Sequence, residues 1–211
     1  MKRIWKSIAT TLVLTGCVIS SAAGTVQQPD AADAADAARL IEVFGLRRGS
    51  SVADVGAATG KLTWPLALHV GETGRVYATD INAQRLVDLR DGAKARSLGN
   101  VVVIEGAEKQ TNLPDACCDA VFMRHVYHHF HDPPAMNASL MRALKPGGKM
   151  MVIDFQPDSR RSAPPGKRNE GADHGVMTAT VIEELQAAGF HHVRAVPWPS
   201  KTYVAVLAER P

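Results

Sequence analysis

The sequence has little cysteine, little net charge and no apolar run long enough for a membrane anchor. Its three cysteines are Cys17, Cys117 and Cys118. None shows the C-x-x-C spacing of a zinc or redox site. Cys117 and Cys118 are adjacent, a geometry that strains a disulfide, so packing at the start of a strand is the role expected of them. Lys and Arg number 24 against 21 Asp and Glu, a formal net charge of +3. That excess is too small to point to a nucleic-acid partner, and Lys2, Arg3 and Lys6 account for all of it. The apolar stretch from Ile8 to Ile19 is far below the ~20 residues of a stable bilayer span. What is there is an ordinary globular composition, 45% hydrophobic and 21% charged over 211 residues. That length supports one domain whose core needs no disulfide or metal staple.

The N-terminus reads as an address. Lys2, Arg3 and Lys6 form a positive region, Ile8–Ile19 an apolar one, and the small residues of SSAAG follow. This is the layout of a secretory signal peptide over residues 1–23. Two cleavage readings stay open. Leu14-Thr15-Gly16-Cys17 resembles a bacterial lipoprotein box, with Cys17 lipidated and anchoring the chain to a membrane. Ser21-Ala22-Ala23 is an ordinary small-x-small site. The expectation is an exported protein, periplasmic or membrane-anchored. A cytoplasmic protein is the alternative if the signal is not used.

Behind a polar linker, residues 24–30, the domain is expected over 31–211. Ala31–Phe44 is a helix of high propensity, capped by Asp30, and its alanine–aspartate repeat reads as a surface pattern. Strand and helix patterns then alternate. Strands are expected at Ser51–Val55, Arg75–Thr79, Val101–Ile104, Ala120–Met123 and Lys149–Phe155, with helices at Gly60–His69, Ala83–Ser97 and Pro134–Leu144. The β-branched run Val101–Ile104 suits a strand buried on both faces. Lys145-Pro146-Gly147-Gly148 ends a helix, and residues 156–176 form a long loop. Thr180-x-x-Glu183 has the pattern of a capping box for a last helix. His191–Val196 and Tyr203–Ala208 close the chain as a hairpin. This order implies an α/β fold: a Rossmann-like, doubly wound, mostly parallel seven-stranded sheet with a C-terminal antiparallel hairpin. Its ligand belongs at the carboxyl ends of the strands.

The first strand–loop–helix carries the chemistry. In Asp54-Val55-Gly56-Ala57-Ala58-Thr59-Gly60, Gly56 allows a sharp turn and Gly60 a helix start close to a ligand. Twenty residues on, Asp80-Ile81 ends the second strand, where a carboxylate can accept both hydroxyls of a ribose. Glycine loop, strand and acid at this spacing point to a nucleoside-containing cofactor. A dinucleotide fingerprint would read G-x-G-x-x-G, and Ala58 stands where its middle glycine belongs.

The segment resembles motif I of the class I S-adenosylmethionine-dependent methyltransferases, with Asp54 as the acid two residues before the first glycine. The resemblance covers about residues 40–209. Val76–Ile81 is similar to the family's ribose-binding motif. Glu105–Glu108 with Leu113-Pro114 resembles the adenine segment, with Ala107 where an acid often stands and Glu108 one place later. Asp119–Phe130 looks like the strand-four motif, Leu144–Asp154 the turn and fifth strand that follow, and Ala188-Gly189-Phe190 with the hairpin the family's end. The resemblance implies S-adenosylmethionine as cofactor and a small-molecule acceptor. It carries Asp54, Gly56, Ala57, Gly60, Asp80, Ile81, Ala107, Glu108 and Arg124 over as cofactor-binding positions. Ala58 replaces a frequent third glycine, which suits an alanine only at negative φ.

Methyl transfer from a sulfonium needs proximity and orientation, and a general base if the nucleophile is a hydroxyl. His125, His128, His129 and His131 cluster after the fourth strand, and Asp154 ends the fifth. His125, His128 and Asp154 are the catalytic candidates. His125 and His129 are four apart and could share a helix face, which invites a metal reading, but no carboxylate or thiolate completes a ligand set. Packing is the third role open to the cluster. Arg160, Arg161, Lys167 and Arg168 lie in the long loop, as a solvated surface or a lid for an anionic acceptor, with His174 at its end. Trp198 and Tyr203 read as packing residues. Two further functions stay in view: an NAD(P)-dependent oxidoreductase, and an envelope-anchored module that binds a nucleoside without turnover. The module answers a conflict, since the cofactor is made in the cytosol while the N-terminus reads as export.

Overall fold

The computed structural model describes residues 30–200 and 202–211. The signal-like segment 1–23, its Cys17 and residues 24–29 of the linker lie outside the described residues. Helix α1, Ala31–Phe44, is capped by Asp30, whose side chain accepts the Asp33 amide at 2.8 Å, and ends at the left-handed Gly45. There follow β1 (Ser51–Val55), α2 (Thr63–Val70), β2 (Arg75–Asp80), α3 (Ala83–Ala95), β3 (Val101–Glu105), β4 (Cys118–Arg124), α4 (Pro133–Ala143), β5 (Leu144–Phe155), α5 (Thr178–Ala187), β6 (His191–Ala195) and β7 (Tyr203–Glu209).

The seven strands form one sheet in the order β3-β2-β1-β4-β5-β7-β6. The first five are parallel; β7 runs antiparallel to both β5 and β6. The central strands alternate between two cores, as the pleat requires. Val121, Met123, Met150 and Val152 pack with Leu140 and Leu185 of α4 and α5. Ala120, Phe122, Met151 and Ile153 pack with Leu40 and Leu66 of α1 and α2 on the opposite face. Strand order reverses at β1, so the loops after β1 and β4 diverge and leave a crevice at their carboxyl ends.

Several expectations are corrected. The run Val101–Ile104 is an edge strand, half-buried along its length, because nothing pairs with its outer side. Helix α2 begins at Thr63 and not at Gly60. Gly56, Ala58 and Gly60 all have positive φ (74°, 50° and 76°) and spend the intervening residues on a tight turn. Ala58 therefore does not have the negative φ expected of an alanine there. Residues Lys145–Gly148 do not merely stop a helix; they open β5, where Gly147 and Gly148 exchange backbone bonds with Arg210. Thr180 and Glu183 lie inside α5, whose N-cap is Met177 with no side-chain bond, so they form no capping box. Cys117 and Cys118 are joined in a disulfide despite their adjacency. The pair sits at the end of β4 remote from the crevice.

Candidate functional site

The crevice holds a cleft of about 660 Å³ along the carboxyl ends of β1, β2, β3 and β4. Its floor is the turn after β1. The amides of Gly56 and Ala57 both donate to Thr79 O at 2.8 Å, locking the turn against β2. Asp54, Gly56, Ala57, Asp80, Ile81, Ala107, Glu108 and Arg124 all line the cleft. Gly60 is not among its lining residues. A Cβ there would lie 2.2 Å from the Trp64 ring, so the packing of α2 requires a glycine at this position.

Asp80 is 5% exposed. Its Oδ2 accepts the Ala58 amide at 3.0 Å and its Oδ1 the Asn82 amide at 2.9 Å. A carboxylate has about four acceptor positions, which leaves two for a pair of vicinal hydroxyls. Beside it Ile81 is 66% exposed, an apolar surface aligned with the cleft and covered by nothing in the protein. Ala107 donates its own amide to Gln110 O at 2.8 Å, and Glu108 lines the same wall. Asp54 is buried and accepts the Thr63 hydroxyl at 2.6 Å. Burial raises its carboxyl to about 6, against the pull of Thr63 and Arg124.

Asp33 and Asp36 are the residues that sequence reasoning missed. Both are 3% exposed and face inward, so the alanine–aspartate repeat is not a surface pattern. Arg124 at the end of β4 donates to Asp33 at 2.6 Å and to Asp36 at 2.8 Å. Trp198 is more than packing: its indole N–H donates to Asp36 at 2.8 Å. Lys61 reaches Asp33 at 3.0 Å. This network fastens α1 across the open side of the sheet. The signal was legible: Asp33, Asp36 and Leu40 share one helical stripe, and Leu40 is core.

The histidines separate into two groups. His128 and Asp154 are completely buried, touch each other and do not line the cleft. Asp154 accepts the amides of His128 (3.0 Å) and Phe155 (2.7 Å), and His128 Nδ1 donates to it at 2.7 Å. On its other side, His128 Nε2 shares a hydrogen bond with His174 Nε2 at 3.1 Å. These three residues fasten the loop after β5. His125, His129 and His131 do line the cleft. His125 stands at φ 61° at the end of β4, while His129 lies in the short 3-10 turn Tyr127–His129, so they share no helix face. His125 Nε2 is buried without a partner, and burial, helped by the Arg124 charge, lowers the imidazole to about 4. The loop itself is anchored: Arg168 is buried and bonded to Glu184 (2.6 Å) and Ala163 O (2.8 Å), and Arg161 faces Asp173 at 3.6 Å. Arg168 is thus no part of a solvated lid.

Comparison with known proteins agrees with this architecture. Residues 53–152 match the family described as a methyltransferase domain. The ubiquinone/menaquinone biosynthesis C-methyltransferase UbiE of Escherichia coli O1:K1 / APEC is 34% identical over 118 residues, 54% of this chain and 46% of that protein. The chain therefore spans about half the length of the curated relatives it matches. A SAM-dependent methyltransferase from Aquifex aeolicus superposes with TM-score 0.71 at 28% identity, covering 85% of this chain and 92% of that one. The [4+2]-cyclase SpnF shares the fold at TM-score 0.69 and 18% identity, over 82% of this chain and 81% of that one. Fold alone therefore does not assign the reaction.

Sheet order, crevice and motif together define a Rossmann-like nucleoside-binding domain of the methyltransferase class. The chain carries a methyltransferase domain match over residues 53–152 and is similar in sequence and fold to S-adenosylmethionine-dependent methyltransferases, a likeness that supports S-adenosylmethionine as the cofactor. The residues present fit that cofactor: Asp80 has acceptor capacity for two hydroxyls, and Ile81 offers an uncovered apolar face to a base.

Proposed function

We propose that the protein transfers the methyl group of S-adenosylmethionine to a small-molecule acceptor. The observation that carries this is the cleft at the strand ends, with Asp80 buried, half-satisfied and aimed into it beside the motif I turn. When bound, the cofactor supplies an already activated methyl group, so the protein's work is binding and orientation. Asp80 would hold the ribose hydroxyls, and Ile81 and Glu108 would flank the adenine. The Gly56–Thr59 turn, near the buried Asp54, would seat the methionine end. Arg124 positions α1 over the site through Asp33 and Asp36. The similarity to proteins named C-methyltransferases supports a carbon acceptor. A sulfonium displacement needs no separate metal, whereas a hydroxyl or carbon acceptor has to lose a proton to a base or to water.

The N-terminal pattern of residues 1–23 supports export, with Cys17 as lipid attachment or cleavage after Ala23. It also favours a second reading, an envelope-anchored module that binds the nucleoside without turnover. Transfer of tritium from methyl-labelled S-adenosylmethionine to a panel of small acceptors tests the first reading. Labelled product supports it. Cofactor binding with no transfer across the panel supports the module, and absence of cofactor binding sinks both. Recovery of an unlipidated, full-length chain from the cytosol would overturn export.

A further inference from the structure

The loop after β5, residues 156–176, reaches the cofactor cleft. Asn169 lines that cleft. Gly166 packs on His131, another lining residue, so closely that a Cβ there would lie 2.5 Å from the imidazole. Gly175 lies against the end of β5, where a Cβ would come within 2.4 Å of Phe155 O. Among the described residues, two side chains fasten this loop to more distant parts of the chain. Arg168 is buried and bonded to Glu184 of α5 at 2.6 Å. His174 meets His128 with the two Nε2 atoms 3.1 Å apart. The arm between these fastenings, residues 169–174, carries Asn169. It is closed by the Gly175 amide, which donates to Arg168 O at 2.9 Å, and by the Ser159 amide, which donates to Ala172 O at 2.8 Å.

The imidazole fastening has a fixed capacity for protons. His128 is 1% exposed, and its Nδ1 lies 2.7 Å from Asp154 Oδ1, so one proton occupies that gap. Asp154 also accepts the amides of His128 and Phe155. The two Nε2 atoms share one proton and have no room for a second, because two N–H groups pointed at each other repel. The closed arm therefore admits a positive charge on one ring and refuses it on the other. The surroundings do not relieve this. From the segment after β4, the His129 ring lies 3.9 Å from that of His128 between centroids, with His125 and His131 in the same run, and each becomes a further positive charge in acid. From the loop, Asp173 is turned to Arg161, and Arg168 to Glu184 of α5. Phe155, which faces His174 at 5.0 Å, is uncharged. Asp154 is the one carboxylate bonded to the pair. His174 is itself exposed, so protons reach it from water. Once the rings part, each can take its own proton. The open arm thus binds one proton more than the closed arm, and falling pH favours opening.

We propose that the His128–His174 contact is an acid-released latch. It holds the arm 169–174 against the cofactor cleft at neutral and higher pH, and charging of both rings frees the arm and loosens the wall that Asn169 gives the cleft. Arg168 stays fastened to Glu184, so release is confined to the arm. The inference is independent of the methyl-transfer reading, since it concerns the loop and not the compound bound.

Hydrogen exchange of the Ser159 and Gly175 amides in the full chain tests it, at pH 8 and pH 5, corrected for the pH dependence of unprotected amides. One excluded proton changes an opening equilibrium by up to about tenfold per pH unit. Protection of both amides is expected to fall about tenfold or more between the two conditions, while Val121 in β4 and Val152 in β5 keep theirs. His174→Gln keeps a hydrogen-bonding group but takes no proton, and is expected to hold the arm with protection that no longer changes with pH. Equal protection at both values in the parent, the same fall in His174→Gln, or a parallel loss at Val121 and Val152 overturns the proposal. If His174→Gln does not fold, the ring nitrogen resonances of His128 and His174 in the unsubstituted protein decide. Both rings charging together with loss of protection at Gly175 supports the latch. Both rings charged with Gly175 still protected overturns it.

Discussion

Three single residues carry most of the chemistry that can be tested. Asp80 accepts two backbone amides and keeps room for two hydroxyls. Asp80→Ala should weaken S-adenosylhomocysteine binding at least tenfold, read by calorimetry, since two charge-assisted bonds are lost at once. Ala58 sits at φ 50°, where an alanine is strained and a glycine is not. Ala58→Gly should therefore stabilise the protein by about 0.5–1 kcal/mol in urea unfolding; a destabilised variant would show that the turn tolerates the alanine without strain. Asp54 has a folded pKa of about 6 against an ordinary 3.8, because burial disfavours its charge. For such a raised value the stabilising contribution is present below pH 3.8 and is lost as pH rises through about 6. Asp54→Asn should thus be more stable than the parent at pH 7.5 by about 2–3 kcal/mol, and close to it near pH 4. Equal stability at both values would mean that Asp54 is solvated.

At the scale of elements, α1 is held by ion pairs as much as by its apolar stripe. Arg124 joins Asp33 and Asp36, and Trp198 reaches Asp36 from the far end of the chain. Arg124→Leu leaves buried Asp36 with the neutral Trp198 indole as its partner and Asp33 with Lys61 alone, and should cost about 3 kcal/mol. The triple change Arg124→Leu, Asp33→Asn and Asp36→Asn should recover much of that loss, because no buried charge remains alone. Chemical denaturation of the two variants distinguishes this from simple loss of packing. The existence and order of the elements were legible in the sequence, because hydrophobic period and glycine punctuation are local signals. The start of α2 was misplaced because three positive-φ residues consume one more stretch of chain than a single glycine turn would. The buried aspartates were misread because charge suggests surface, although their spacing put them on the stripe of Leu40. The His128–His174 contact joins residues 46 apart in sequence and had no local signal at all.

Over the whole molecule, doubly wound topology explains why the cofactor residues could be read in order without coordinates. Each parallel strand delivers its last residue to the same sheet edge. Asp54, Gly56, Asp80, Ala107 and Arg124 therefore converge although 70 positions separate the ends of the list. What could not be read was a second cleft, between α1 and the approach to β7, since it joins opposite ends of the described chain. The net charge of +3 belongs to residues outside the described fold, and the domain behind them is formally neutral. The account stands on nucleoside binding at the strand ends, and titration calorimetry of S-adenosylhomocysteine into the full chain and its Asp80→Ala variant tests that directly. One-to-one binding by the parent that is weakened at least tenfold by the substitution is the predicted result. Equal binding by both proteins, or binding of NADH in place of S-adenosylhomocysteine, would contradict it.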